Sequence, residues 1–192
     1  MLGVIKSLQD KEKDKYNIIL ADPAWAFRVW SKKGLDRSAE KHYPTMSLKD
    51  ICALTVADIA AKDSALFLWA TFPQLQDAFE VISAWGFTYK TVAFVFVKRN
   101  KKSPGYFVGC GYWTRANAEI CLLATKGHPN RVSKSVRQII DAPIGRHSEK
   151  PDETRTRIVE LMGDLPRIEL FARKKADGWH SWGNEVDSDI IL

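Results

Sequence analysis

Cysteine is scarce: Cys52, Cys110 and Cys121 are the three in 192 residues, an odd number with no Cys-x-x-Cys spacing. That speaks against a disulfide framework and a structural zinc site, and makes a reducing cytoplasm the simplest setting. The four histidines, His42, His128, His147 and His180, are scattered, so no metal site is expected. No apolar run approaches the roughly 20 residues of a membrane span, and the N-terminus lacks a signal-peptide pattern, so no membrane partner is expected. An early G-x-G-x-x-G loop is missing too. Gly109-Cys110-Gly111 does not lie between a strand and a helix and is not a dinucleotide fingerprint. Repeats and low-complexity segments are absent.

What is present suits a single globular domain over residues 1–192, with 45% hydrophobic and 27% charged residues. The net charge of +6 raises the odds of a polyanionic partner without proving one. The first clear strand is Asn17–Ala21, continuously apolar and stopped by Asp22-Pro23, as expected of a strand buried on both faces of an α/β sheet. Further strands are read at Ser64–Ala70, Phe87–Lys98, Glu119–Thr125 and Arg167–Arg173, with a weaker one at Val136–Ile140. Glu119–Thr125 is placed to pair antiparallel with Phe87–Lys98.

Helices are read at Ser47 onward, with Ser47 as N-cap, at Gln74–Trp85, and at Asp152–Met162. In the second, Leu75, Ala78, Phe79 and Ile82 form an apolar face and Gly86 ends the helix; in the third, Ile158, Leu161 and Met162 point inward. Two basic, irregular stretches, at about 27–46 and 99–117, are loops long enough to be functional. Strands alternating with helices imply a mostly parallel sheet, whose ligands sit beyond the carboxyl ends of the strands. Asp22, Thr71 and Arg173 all lie at such ends.

The sharpest chemical feature is Asp22-Pro23-Ala24-Trp25 directly after a buried strand. The exocyclic amine of adenine is a poor nucleophile because its lone pair is delocalised into the ring. Methylating it requires acceptors for its two N–H bonds, which a carboxylate and an outward backbone carbonyl supply, and an aromatic face for the extruded base. Holding the amine in line with the methyl donor supplies much of the rate. Asp22, the Pro23 carbonyl and Trp25 fit those roles. A plainer reading also stands, in which Asp-Pro ends a strand and Trp25 caps the core.

Three more segments follow in order: Gly111-Tyr112-Trp113-Thr114-Arg115 with Glu119, then His147 to Glu153, then Ile168 to Arg173 ending in Trp182-Gly183-Asn184-Glu185. Together with Asp22–Trp25 they resemble the adenine N6-methyltransferase family of the mRNA adenosine methyltransferase catalytic subunit and its small bacterial and phage relatives, from about Tyr16 to Glu185. One position departs: Ala24 stands where the family's D-P-P-W motif has its second proline.

The resemblance implies a Rossmann-like S-adenosylmethionine-dependent methyltransferase fold, with helices on both faces of the sheet. The motif order is permuted, the catalytic motif preceding the cofactor-binding strand. It implies S-adenosylmethionine as cofactor, with Asp22, Pro23 and Trp25 catalytic. Asp22, Lys150, Leu170, Phe171, Arg173, Asn184 and Glu185 would bind the cofactor, Lys150 near its carboxylate. Tyr112, Trp113, Arg115, Lys32 and Lys33 would face a nucleic acid, DNA in preference to RNA. Plainer readings remain for several of these: Lys150 as a surface lysine at a helix start, Tyr112 and Trp113 as core aromatics, and Lys32 and Lys33 as solvated charges. Trp69, Trp85, Trp179 and Trp182 are read as packing residues. An RNA adenosine methyltransferase and a non-catalytic nucleic-acid-binding partner subunit are the alternatives, and monomer and dimer both stay open.

Overall fold

The computed structural model describes residues 15–25, 45–109, 111, 113–145 and 148–192. Its centre is β1 (Tyr16–Ala21), whose Ile18, Ile19 and Ala21 are fully buried. Alternate residues serve opposite faces of the sheet. Ile19 and Ala21 pack into one core, Ile18 and Leu20 into the other. An unbroken apolar run is therefore what this strand requires.

Around β1 stand β2 (Ala60–Ala70), β3 (Thr88–Arg99), β4 (Ala118–Lys126), β5 (Ile139–Pro143), β6 (Arg167–Leu170) and β7 (His180–Trp182). Their order across the sheet is β5-β3-β4-β2-β1-β6-β7. Neighbouring pairs are parallel except those made by β4, which runs antiparallel to both β2 and β3. The antiparallel pairing of β3 with β4 is as the sequence suggests.

Helices cover both faces. α1 (Leu48–Ala53), α2 (Val56–Ile59) and α3 (Leu75–Ala84) contribute Ile51, Val56, Ala78, Val81 and Ile82 to the first core. α4 (Glu153–Met162) contributes Ile158 and Met162 to the second, with Leu161 packed against it. Ser47 caps α1, its Oγ accepting from the Asp50 amide at 3.2 Å. A 3-10 turn at Phe72–Gln74, with Pro73 in it, leads into α3. Gly86 at φ +78° lets the chain leave α3.

Several boundaries differ from the sequence reading. β2 starts four residues early, because Ala60 is already buried and paired with Tyr16. β5 lies at 139–143 rather than 136–140, in register with Val95–Arg99 of β3. β6 stops at Leu170, because Phe171 takes φ +61° and turns the chain out of the ladder. On α3 the inward face is Ala78, Val81 and Ile82, while Phe79 is 40% exposed and sets its ring edge-on to Tyr89 of β3.

Leu122 of β4 is fully buried and lies opposite Leu68 and Val92. Leu122→Ala should lower unfolding free energy by about 2–5 kcal/mol. Ile191, 96% exposed, should tolerate alanine within about 0.5 kcal/mol. Urea titrations check both, and an equal response would show that the core lies elsewhere.

Candidate active site

β1 is where the sheet changes direction. The chain proceeds from β1 to β2 on one side and returns at the end to β6 on the other. In such sheets a crevice opens beyond the carboxyl ends of the two diverging strands. The register fixes what lines it: Ala21 pairs with Leu170, so Asp22 and Phe171 leave the sheet side by side. Ala70 pairs with Ile120, which brings Thr71 and Glu119 to the same edge.

A cleft forms there, lined by Asp22 to Trp25, Met46, Ala70, Thr71, Glu119, Ser148, Lys150, Phe171 to Arg173 and Trp182 to Glu185. Residues from seven separate stretches of sequence thus share one concavity. Its far wall is Phe171 set edge-on against Trp182, ring centres 5.3 Å apart. Among the described residues two non-glycines have positive φ, Ser148 at +60° and Phe171 at +61°, and both line this cleft. Backbone held this way costs energy that the surroundings must offset, and such residues gather at functional sites.

Lys150 joins the two sides. Its ammonium donates to Asp22 Oδ1 at 2.9 Å and Oδ2 at 2.7 Å, and to the Ser148 carbonyl at 3.1 Å. It also lies 3.0 Å from Glu119 Oε2 and 5.6 Å from the Trp69 ring centre. The side chain is 12% exposed, Glu119 11% and Asp22 29%. Lys98 pairs with the other oxygen of Glu119. Charges therefore alternate along a row: Asp22, Lys150, Glu119, Lys98.

Burial works against the Lys150 ammonium, but Asp22 and Glu119 outweigh it and hold the proton far above the ordinary lysine range. Burial raises the Glu119 carboxyl, and Lys150 and Lys98 more than reverse that, keeping it below the usual range. Asp22 ends up raised, because burial and the nearby Glu119 charge exceed the pull of Lys150. Cys121, fully buried beneath the row, is pushed well up by burial and then by Asp22. It is inert as a nucleophile.

The motif beside Asp22 is tied down by main-chain bonds. The Trp25 amide donates to the Pro23 carbonyl at 2.8 Å, and the Met46 amide to the Ala24 carbonyl at 2.9 Å. The Trp25 indole, buried, donates to the Trp69 carbonyl at 3.1 Å. The Pro23 carbonyl is thus engaged locally, where the sequence reading has it turned outward; its second lone pair remains.

The described parts of the candidate set fall into distinct places. Asp22, Pro23, Trp25, Lys150, Phe171, Arg173, Asn184 and Glu185 line the cleft. Leu170 is fully buried in the core instead. Arg173 and Glu185 bind each other at the rim, 2.8 Å apart. Trp113 is 95% exposed and Arg115 is exposed, both on the β3–β4 connection, outside the cleft. Lys32, Lys33 and Tyr112 lie outside the described residues.

Sequence reasoning quotes Glu119 and Ser148 in motifs without giving them a role, puts Thr71 at a ligand-facing strand end without assigning it a contact, and leaves Met46 out of the site. Trp182, read as packing, is half-buried and forms the cleft wall, whereas Trp69, Trp85 and Trp179 are indeed buried. A glutamate opening an otherwise apolar strand is the signal that marks Glu119.

The family model of MT-A70 matches residues 16–185, nearly the whole described sheet and every motif of the cleft. The chain belongs to the MT-A70 family. It is a methyltransferase by that membership. Among its relatives is the Type II methyltransferase M.MunI of Mycoplasma sp, 36% identical, the alignment covering 93% of this chain and 81% of that protein. An N(6)-adenosine-methyltransferase MT-A70-like protein of Arabidopsis thaliana is 30% identical over 92% of this chain and 24% of its own length. The human N(6)-adenosine-methyltransferase catalytic subunit METTL3 is 28% identical over 93% and 29%. The chain thus spans most of the mycoplasma methyltransferase but about a quarter of the plant and human enzymes.

Removing the ammonium leaves two buried carboxylates facing each other. Lys150→Met should cost about 3–5 kcal/mol near pH 8. Both carboxyls would then titrate above their unfolded values, so the deficit should shrink as pH falls through the carboxylate range. Urea denaturation at about pH 8 and pH 5 tests this; an equal loss at both would show that Lys150 does not neutralise the pair.

Proposed function

We propose that this MT-A70 protein transfers a methyl group from S-adenosylmethionine to the exocyclic N6 amine of adenine in DNA. One observation carries the reading: Asp22 after β1 and Phe171 to Arg173 after β6 line a single cleft at the point where the sheet reverses its order.

The donor set of the cleft fits the cofactor. An amino-acid head group needs both charge signs, which Lys150, Arg173, Asp22 and Glu185 provide, while a ribose and a purine ring need polar partners and aromatic surface, which Asn184, Phe171 and Trp182 provide. S-adenosylmethionine would supply an electrophilic methyl on a sulfonium: the S–CH3 bond breaks to leave a neutral thioether as the amine nitrogen takes the methyl, and the alkylated amine then loses one proton to solvent. Asp22 accepts an N–H of the amine and favours its lone pair turning toward the methyl. Trp25, its indole pinned to the Trp69 carbonyl, walls the base. Lys150 already spends its N–H donors on Asp22, Glu119 and Ser148. It therefore serves first as the counter-charge of Asp22, and a contact with the cofactor carboxylate requires exchanging one of these bonds. Phe171, Arg173, Asn184 and Glu185 would hold the cofactor in the cleft. Leu170, its side chain buried in the core, is assigned to the cofactor through its main chain.

The exposed Trp113, with Arg115 beside it, supplies stacking surface and charge for nucleic acid, and Tyr112, Lys32 and Lys33 are assigned to the same task. DNA is favoured over RNA because the chain spans most of a Type II methyltransferase and a small part of the N(6)-adenosine enzymes. The latter relatives support RNA as the second reading.

Asp22→Ala should abolish methyl transfer while cofactor affinity, read by calorimetry, stays within severalfold of wild type. Retained turnover would remove Asp22 from the reaction. Labelled cofactor with matched DNA and RNA oligonucleotides separates the two substrates, and transfer to neither would defeat the proposal. Trp113→Ala should raise the KM for oligonucleotide about 5- to 100-fold, the equivalent of about 1–3 kcal/mol of stacking, with a smaller change in kcat. An unchanged KM would return Trp113 to the solvent.

A further inference from the structure

Lys98 lies outside the cleft, yet it is built into the charge row. Its ammonium pairs with Glu119 Oε1, while Glu119 Oε2 takes Lys150. The side chain is 20% exposed and its ammonium stands 5.9 Å over the Phe96 ring. Position 98 is the penultimate residue of β3, where its amide also donates to the Asn117 carbonyl at 2.8 Å, which seats it directly beside the start of β4.

We infer that Lys98 is a positioning residue for methyl transfer: by occupying one oxygen of Glu119, it fixes how Glu119 and Asp22 share the Lys150 ammonium. The inference rests on the reading of Asp22 as the group that receives the amine.

The physical argument is one of competition. Asp22 must offer an oxygen to the incoming N–H bonds, and in the row both of its oxygens accept from Lys150. Something must draw Lys150 partly away without taking it altogether. Glu119 is the counter-anchor, and its pull depends on how much of its own charge is spent elsewhere. With Lys98 in place that charge is shared between two cations. Without Lys98, Glu119 either draws Lys150 off Asp22 or takes up a proton and releases Lys150 to Asp22. Both outcomes spoil the balance, and pH decides between them.

The charged groups facing Glu119 are Lys98 from β3, Lys150 from the segment before α4, and Asp22 beyond β1. On its own strand Cys121 lies near Asp22 and Lys150, held neutral. Loss of Lys98 removes one of the two cations that hold the Glu119 carboxyl low, so its titration must move up. Activity that needs ionised Glu119 then disappears at a higher pH as the solution is acidified.

The test uses the full chain with Lys98→Met, Lys98→Arg and Glu119→Gln, alone and combined. The Glu119 carboxyl is followed by carbon-13 NMR titration, assigned by its loss in Glu119→Gln, and steady-state methyl transfer is measured across pH. The expected results are an upward shift of the Glu119 midpoint by about one pH unit or more in Lys98→Met, and a tenfold or larger fall in kcat. KM for cofactor and oligonucleotide should stay within about threefold, the acid limb of kcat should move to higher pH, and Lys98→Arg should restore both. In a Glu119→Gln background, Lys98→Met should add nothing. An unmoved Glu119 midpoint overturns the inference, as does a fall in kcat that persists undiminished in the Glu119→Gln background. If Lys98→Met does not fold, Lys98→Arg and Glu119→Gln still decide it: an acid limb in Lys98→Arg displaced from the wild-type position, or a wild-type acid limb unchanged by Glu119→Gln, refutes it. Absence of methyl transfer by the wild-type chain would count against the proposed function alone, because the NMR titration reads the coupling without turnover.

Discussion

The site hangs on one ammonium held between two carboxylates. Asp22 follows β1 and Glu119 stands second in β4, the two strands separated in the sheet by β2, and Lys150 comes from a segment on neither strand. Bringing two carboxylates into a half-closed cleft is costly unless a cation lies between them. Lys150 is that cation, and its hold on the Ser148 carbonyl fixes it to its own loop. The cleft is therefore assembled by the same interaction that sets its charge. A ligand bringing a sulfonium and an amine into it changes the electrostatics of every member of the row.

The strain in the cleft follows the same logic. Phe171 leaves β6 at φ +61°, and the turn is locked when the Ala172 amide donates to the Trp182 carbonyl at 2.9 Å. Gly183 completes the lock, because a Cβ there would lie 2.4 Å from the Ala172 carbonyl oxygen. The close approach of the β6 and β7 ends is what sets Phe171 edge-on to Trp182, and it needs a residue without a side chain at 183. Ser148, in the same unusual backbone region, points its carbonyl to Lys150. Each strained residue thus serves a contact that regular backbone would not give.

How much of this was legible in the sequence depended on whether a feature was local. β1 could be read because the unbroken apolar run Ile18–Ala21 needs no partner to be recognised, and Asp22 because a proline fixes the chain immediately after it. The antiparallel β4 could be suggested from its composition. The end of β6 could not be read: Leu170, Phe171 and Ala172 form an apolar run that a buried strand could continue, and only packing against β7 turns Phe171 out. Trp182 was indistinguishable from Trp179 by composition, since what separates them is the side of β7 that meets the cleft. The row of charges was the least legible part. Lys98, Glu119 and Lys150 are ordinary residues at separations of 21 and 31 in sequence; the β3–β4 register brings the first two together, and the segment before α4 brings Lys150 to them.

The departure at Ala24 illustrates how register can replace a local device. A second proline in the Asp-Pro-x-Trp motif would restrict the backbone by its ring. Here the same stretch is restrained from outside. Met46 donates to the Ala24 carbonyl, Trp25 bridges to Met46 in parallel, and the Trp25 indole is anchored on the end of β2. The bridge to Met46 and the bond to β2 together fix the Ala24 carbonyl and Trp25. Each acts on the carbonyl or the neighbouring residue, so none requires a particular side chain there. The carboxylate that matters lies before these clamps and is itself held by Lys150. Loss of one ring constraint therefore leaves the geometry of Asp22 to interactions that alanine does not disturb, which is why Asp22 is held in the cleft without a second proline at position 24.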